Sequence, residues 1–242
     1  MFYFYGMDMT YLTLVLPALL LSLWASVRVK STFNKYNAQR TMRGMTGAKA
    51  AYEVLRANGV YDVKIQRVSG QLTDHYDPKE NVIRLSENVF DSTSPAAIGV
   101  AAHEAGHAVQ YATNYAPIRL RAAIVTATNV ASKLSMPLII ISFILMSVEM
   151  FVPYREALYY LALAGVLAFG MCVVFQLVTL PTEFNASRRA LQTIEDCNLL
   201  TEEERYGAKK VLSAAALTYV AALAVALGQF LRLLAIVNRR RD

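Results

Sequence analysis

Apolar and polar stretches alternate along the chain and divide it into four apolar segments with polar regions between them. Mostly apolar runs cover residues 10–27, 135–152 and 157–180, and an Ala- and Leu-rich stretch covers 211–231. These lengths are close to the roughly 20 residues with which a helix crosses the hydrocarbon core of a bilayer. The pattern therefore predicts an integral membrane protein with three or four transmembrane helices.

The first polar region combines a helical pattern with strand patterns. Thr46 is placed to cap a helix that ends at Gly59. Mixed apolar and polar residues then predict a strand over 60–68, and two further strands, 71–76 and 81–86, flank a turn-rich link and form a hairpin. Together with the apolar segments, these elements indicate a mainly α fold with a small β-hairpin or sheet.

Further helices in the polar regions have clear start signals. Ser94 is a natural N-cap and Pro95 a natural first helical residue, and this helix is expected to end near Ala112. Another helix, from about 118 to 134, leads into the second apolar segment. Thr201 and Glu204 form a capping-box pattern that predicts the start of a later helix.

The charge pattern orients the apolar segments. Residues 28–52 contain six Lys or Arg and no acidic residue, and such an excess is typical of the cytoplasmic side of a membrane protein. If all four segments cross the bilayer, the basic residues Arg239–Arg241 lie outside, against the same rule. Either the fourth segment crosses incompletely and packs on the polar domain, or the rule fails at this end.

Composition disfavours several classes of protein. The chain is 55% hydrophobic and 17% charged, with a formal net charge of +6. No basic stripe interleaved with aromatic residues appears, so we expect no nucleic-acid partner. Cys172 and Cys197 form no CxxC pair, and we expect both to serve packing. The apolar segments carry few charges and no broken paired helices, which disfavours a transporter.

The candidate chemistry is concentrated in the sequence HEAGH, on the helix that Ser94 caps. His103 and His107 lie one turn apart on one helical face, where both imidazoles can bind the same Zn²⁺. Glu104 flanks that face and can take the proton of a zinc-bound water during attack on a peptide carbonyl. The small residues Ala105 and Gly106 leave room for a close approach to the metal. A chance HExxH match is the alternative, which the small apolar surroundings disfavour.

A third zinc ligand must come from elsewhere, because a catalytic zinc keeps three protein ligands and one open position. The residues leave two candidates, His75 on the predicted hairpin and Glu183, just after Pro181. A carboxylate so close to a membrane boundary is costly without a partner. An acidic residue at a helix N-terminus is, however, also favoured by the helix dipole. His75 has two other interpretations, a residue that faces the substrate and an ordinary strand histidine.

Three segments, taken together, resemble a known family: LTDHYDP at 72–78, AAHEAGHAVQ at 101–110 and LPTEFNASRRA at 180–190. They are similar to the neutral zinc metallopeptidases of bacterial inner membranes, the YugP-like group, and the resemblance covers nearly the whole chain. It implies a gluzincin-type metalloprotease domain in which Glu183 is the third ligand and one Zn²⁺ is bound per chain. It also implies a multi-pass protein of the bacterial inner membrane.

The same group is similar to the membrane heat-shock and CAAX-type metallopeptidases, which share HExxH with a distant glutamate ligand. Those proteins commonly place an aspartate four residues after that glutamate, where it orients a histidine. The corresponding position in this chain is Ser187. We therefore consider Asn185, Ser187, Arg188 and Arg189 as residues that replace the aspartate.

These observations predict a membrane-bound zinc endopeptidase with Glu104 as general base, a cytoplasmic-side active site and a peptide or membrane-protein substrate. The strand Val82–Ser86 is expected to pair with an extended substrate. His75, Tyr76 or Arg188 is expected to stabilise the oxyanion. The alternative is a catalytically silent membrane scaffold or interaction protein that binds zinc, which the complete HEAGH sequence disfavours.

The expected organisation has five parts. They are an N-terminal transmembrane anchor (1–27), a cytoplasmic-side catalytic domain with the HExxH helix (28–134), two transmembrane helices (135–180), a third-ligand helix with its connecting segment (181–210), and a C-terminal hydrophobic helix with a basic tail (211–242).

Overall fold

The computed structural model describes residues 9–70 and 73–239. In chain order the elements are a π-helical turn (Tyr11–Val15), α1 (Leu16–Asn37), α2 (Gly47–Ala57), β1 (Lys64–Val68), β2 (His75–Asp77), β3 (Val82–Ser86), α3 (Glu87–Phe90), α4 (Pro95–Ala112), α5 (Ala116–Met146), a 3₁₀ helix (Glu149–Tyr154), α6 (Arg155–Asp196) and α7 (Glu202–Asn238). The predicted mainly α fold with a small sheet is confirmed. Three predicted stretches lie outside the described residues: the first eight residues of the anchor, 71–72 of the hairpin and 240–242 of the basic tail.

Four helical stretches of the described chain are long and apolar enough to cross a membrane. They are Tyr11–Asn37, Ala116–Met146, Glu149–Asp196 and Glu202–Asn238. This number confirms the prediction of three or four helices that are long and apolar enough to span a bilayer. The crossing itself, above all that of the fourth stretch, stays a prediction, because length and apolar composition alone define these candidates.

The chain forms two compact units, of which the first contains most of the apolar segments. It comprises the described parts of Met1–Trp24, Leu120–Thr179 and Tyr219–Asp242. A Cβ atom on Gly165 of α6 would lie 2.8 Å from the carbonyl oxygen of Ser135 on α5, so the glycine allows these helices a close contact. Several large apolar side chains of this unit are more than half exposed, as expected of a surface that faces lipid: Leu20, Ile144 and Leu167.

The second unit comprises Ala25–Arg119 and Leu180–Thr218 and contains the sheet. Its strand order is β1–β3–β2, with β1 parallel and β2 antiparallel to β3. The β2–β3 pair is the predicted hairpin, and Tyr76 is paired with Ile83 in its register. Because β3 is paired on both sides, β2 is an edge strand of the described sheet.

The helix starts in the second unit follow the predicted capping residues. The Thr46 hydroxyl accepts the backbone N–H of Lys49 at 3.3 Å, and the Ser94 hydroxyl accepts that of Ala97 at 3.1 Å. Thr201 and Glu204 satisfy each other's backbone N–H groups, as a capping box does. Local sequence therefore determines where α2, α4 and α7 begin.

Two helix boundaries differ from the prediction. The stretches predicted as a polar helix and a following span form one helix, α5, which contains Pro137. Likewise α6 runs through Pro181 and ends only at Asp196. A proline removes a single backbone hydrogen bond, and neighbouring turns and helices can keep an apolar helix intact around it. As a result, Glu183 lies within the same helix as the third apolar segment.

Candidate active site

The HEAGH helix α4 lies in the core of the second unit, and its small residues set how closely other helices approach. A Cβ atom on Gly106 would lie 2.7 Å from the carbonyl oxygen of Ala186 on α6, so a larger residue would push the helices apart. The interpretation that Gly106 leaves room for a metal is therefore wrong, since the α6 backbone occupies that space. The close contact instead carries the side chains of α6 to the two histidines.

His103, His107 and Glu183 converge at this contact between α4 and α6. Oε2 of Glu183 lies 3.2 Å from Nε2 of His103 and 3.5 Å from Nε2 of His107. One donor atom from each of the three residues lies within 4.8 Å of the others. Only 3% of Glu183 is exposed, so its carboxylate requires compensation of its charge. Of the two candidate third ligands, the structure thus brings Glu183 to the histidines.

His75 has a different environment. It lies on β2 and is exposed, with Nδ1 2.7 Å from the carbonyl oxygen of Thr73. The group of donors found around His103 and His107 does not include it. Its geometry is that of a strand histidine with a local backbone contact.

The three converging residues fit a zinc ion in donor chemistry, and the spacing of Glu183 from each histidine fits as well. Two imidazole nitrogens and one carboxylate oxygen are the donor set of known catalytic zinc sites. Zinc–donor bonds of about 2.0–2.2 Å in tetrahedral arrangement place two donors roughly 3.3 Å apart. The contacts of 3.2 and 3.5 Å to Glu183 agree with that spacing. A divalent cation between the three donors would also compensate the buried carboxylate.

Gln110 fixes the orientation of His107. Its amide nitrogen donates to the carbonyl oxygen of Thr182 at 2.7 Å, which turns its amide oxygen towards Nδ1 of His107 at 3.0 Å. Because that oxygen can only accept, Nδ1 carries the proton and Nε2 presents its lone pair to the site. Gln110 and Thr182 are fully buried. Sequence reasoning missed Gln110, although a glutamine three residues after a ligand, on the same helical face, is a usable signal.

Ser187 occupies the corresponding place beside His103. Its hydroxyl lies 3.0 Å from Nδ1 of His103, one helical turn after Glu183 on α6. Of the four residues considered as replacements for an aspartate, Ser187 itself makes this contact. Asn185 instead accepts hydrogen bonds from Gln110 and Arg189, at 3.0 and 2.8 Å. The orienting groups of both histidines are therefore neutral side chains.

We expect Ser187→Ala to weaken zinc binding by roughly ten-fold, at the lower end of the range for residues that orient a metal ligand. The alanine leaves Nδ1 of His103 without its hydroxyl partner. Ser187→Asp should keep the contact and retain affinity. Zinc titration of the purified variants against a competing chelator measures the change. Ser132→Ala is the matched control, because the Ser132 hydroxyl donates within α5, to the carbonyl oxygen of Asn129.

Glu104 lies beside the three donors on the partly exposed side of α4. Its Oε2 accepts the backbone N–H of Tyr76 at 3.0 Å, so the carboxylate is held against the edge strand β2. Asp74 in turn anchors the start of β2, since its carboxylate accepts the backbone N–H and the hydroxyl of Ser86 on β3. Burial nevertheless raises the pKa of Asp74 above its usual value. The hairpin thereby fixes the position of Glu104.

His107 also responds to the charges around it. Burial alone would lower the pKa of its imidazole. The hydrogen bond to Glu183 and the nearby charge of Glu104 outweigh burial and raise the pKa above the ordinary histidine value. The surroundings of the His107 imidazole therefore favour a positive charge. A proton or a bound metal ion would supply that charge.

The residues considered for the oxyanion differ in their surroundings. The Tyr76 hydroxyl donates to the Asn81 side chain at 2.7 Å, and burial with the neighbouring Tyr111 raises the pKa of Tyr76 to about 12. Arg188 lines, together with Ser187, a cavity of about 600 Å³ between α6 and α7. His75 is exposed on β2. An oxyanion role for any of the three stays a prediction.

The strand predicted to pair with substrate is not available for that role. The prediction named Val82–Ser86, which is β3, but β1 and β2 already flank this strand on both sides. A strand without a free edge cannot add a further chain by backbone hydrogen bonds. Among the described strands near α4, β2 has the free edge, and its Tyr76 N–H points to Glu104.

Comparison with known proteins places the chain in a family. Residues 11–238 match the model of a family described as "Putative neutral zinc metallopeptidase". The chain belongs to this family. It is 44% identical, over 97% of its length and 99% of the relative's, to a protein of Bacillus subtilis (strain 168) named "Putative membrane protease YugP". No solved structure is significantly similar to the chain.

Membership of the family confirms the resemblance inferred from the three sequence segments. The relative's name and the four apolar helices together support a location in a membrane. The family description and the converging donors support zinc as the metal.

Proposed function

We propose that the chain is a membrane-bound zinc endopeptidase that hydrolyses peptide bonds. The observation that carries this proposal is the convergence of His103, His107 and Glu183 beside Glu104. These three residues would hold one Zn²⁺ per chain. When bound, zinc supplies a Lewis acid that polarises the peptide carbonyl and lowers the pKa of water.

The other side chains of the site orient the histidines and transfer the proton. Gln110 and Ser187 hold the imidazoles so that both Nε2 atoms face Glu183. Glu104 takes a proton from the attacking water and delivers it to the leaving amine. The Tyr76 N–H keeps Oε2 of Glu104 in place, which leaves Oε1 to accept that proton.

The substrate and the side of the membrane belong to the same proposal. An extended peptide would lie beside β2, the edge strand next to Glu104, without using the Tyr76 N–H, which Glu104 accepts. The basic residues between 28 and 52 support a cytoplasmic active site in a multi-pass protein of the bacterial inner membrane. Substrates would then be peptides or membrane-protein segments at that surface. Arg188 or His75 would stabilise the oxyanion.

Removal of zinc tests the proposal directly. We expect 1,10-phenanthroline to abolish cleavage of casein by the purified full-length chain, and added Zn²⁺ to restore it. The non-chelating isomer 1,7-phenanthroline is the control, because it is similar in size and apolar character. Cleavage that continues after zinc is shown to be lost by mass spectrometry would contradict the mechanism. One zinc per chain without cleavage of casein or membrane-protein substrates would favour the silent scaffold.

A further inference from the structure

A second cavity, of about 220 Å³, lies between α1 and α7 in the second unit. Its polar lining consists of three cationic and three hydroxyl side chains: Arg28, Lys209, Lys210, Thr32, Tyr206 and Ser213. Among the described residues, none that lines the cavity is acidic. None of the proposed zinc ligands lines it, and neither the family description nor the proposed peptidase activity gives it a role.

The charge of this cavity favours an anionic occupant. Three cationic side chains line one small cavity, and the positive potential of such a cluster attracts an anion. The Lys210 ammonium lies 4.9 Å from the centre of the Tyr206 ring, a cation–π contact that holds the side chain at the cavity wall. Lysine and arginine with neighbouring hydroxyls are the groups that proteins use to bind phosphate.

The position of the cavity favours a lipid as the source of that phosphate. Arg28 directly follows the apolar segment 10–27, and Lys209 and Lys210 directly precede the apolar stretch 211–231. The cavity thus lies where both helices pass from polar to apolar sequence. Its lining continues in the apolar direction of α7 with Ala214 and Leu217. A headgroup with attached acyl chains matches this change from cationic to apolar lining.

We propose that this cavity binds the phosphate of an anionic phospholipid. Arg28, Lys209 and Lys210 contact the phosphate, with hydroxyls from Thr32 and Ser213, and the acyl chains extend along α7. Free phosphate shares the headgroup chemistry but lacks the acyl chains. Tyr206 and Lys209 also line the larger cavity that contains Ser187, so a bound lipid would lie next to the surroundings of the proposed active site.

The test is native mass spectrometry of the full-length chain in detergent, titrated with phosphatidylglycerol, phosphatidylcholine or inorganic phosphate. We expect wild type to retain one phosphatidylglycerol more tightly than phosphatidylcholine. The cavity variant, Arg28→Gln with Lys209→Gln and Lys210→Gln, should bind it at least ten-fold more weakly, since each basic residue near an anionic headgroup contributes about five-fold. A charge-retaining variant, Arg28→Lys with Lys209→Arg and Lys210→Arg, should bind within a few-fold of wild type.

The matched control removes the same charges outside the cavity, with Lys30→Gln, Arg43→Gln and Lys49→Gln. These residues are exposed and also follow the first apolar segment. Equal loss of lipid in the cavity and control variants would reduce the effect to general surface charge and overturn the proposal. Unchanged binding of phosphatidylglycerol by the cavity variant would also overturn the proposal. Inorganic phosphate that binds as tightly as the lipid would assign the cavity to free phosphate instead. Circular dichroism checks that each variant is folded.

Discussion

Glu104→Gln is expected to lower the turnover number for peptide cleavage by roughly 10²–10⁴-fold while leaving zinc bound. General acid–base catalysis by a positioned side chain typically contributes a factor of that size. The glutamine keeps an oxygen that accepts the Tyr76 N–H, so the contact between α4 and β2 survives. It cannot accept the proton of the attacking water. Casein cleavage and zinc content, measured on the same preparation, separate these two effects.

The control for this variant is Glu87→Gln, which removes an exposed carboxylate of the same unit without touching the site. It should cleave like wild type. Normal cleavage by Glu104→Gln would exclude the proposed base and with it the mechanism. Zinc loss in this variant would show instead that Glu104 contributes to metal binding. The group of converging donors, His103, His107 and Glu183, does not include Glu104.

The HEAGH helix is the part of the site that the sequence predicts well, because it depends on local residues. Ser94 and Pro95 start α4, and the helical repeat then places His103 and His107 on one face without any information about the rest of the fold. The same holds for the caps of α2 and α7. These features depend on residues within one or two helical turns of each other.

The features that depend on distant parts of the chain were harder to predict. The contact of Gly106 with the α6 backbone, and not the motif itself, brings Glu183 to the histidines. Sequence alone keeps His75 beside Glu183 as a candidate for the third ligand, and the resemblance to a family adds the stronger argument for Glu183. Gln110 was missed because its importance depends on the Thr182 carbonyl, 72 residues later in the chain.

The error about the substrate-binding strand has a related cause. The hairpin of β2 and β3 is a local feature, and its prediction is confirmed. The parallel pairing of β1 with β3 requires a crossover connection. The alternation of apolar and polar residues in either strand does not reveal such a pairing. Without that pairing β3 would have a free edge. With it, the free edge beside α4 belongs to β2, the strand whose Tyr76 N–H holds Glu104.

Glu183→Ala is expected to weaken zinc binding more than roughly 100-fold, which exceeds the usual effect of losing a residue that only orients a ligand. The substitution removes one of three donors and the negative charge that offsets the cation. Cleavage should fall below detection because the site no longer holds its metal. Zinc titration measures affinity, and thermal unfolding gives an independent measurement, because a ligand bound only by the folded state raises the melting temperature. Zinc should therefore stabilise wild type and Glu104→Gln, but not Glu183→Ala.

Two controls make this result specific to the third ligand. Asp196→Ala removes an exposed carboxylate from the same helix, α6, and should retain zinc affinity. His75→Ala should also retain it, because His75 lies outside the group of converging donors. If Glu183→Ala bound zinc like wild type and His75→Ala did not, His75 would be the ligand, and its side chain would have to leave the Thr73 carbonyl oxygen. The opposite result assigns the ligand to α6, where the Gly106 contact already places it.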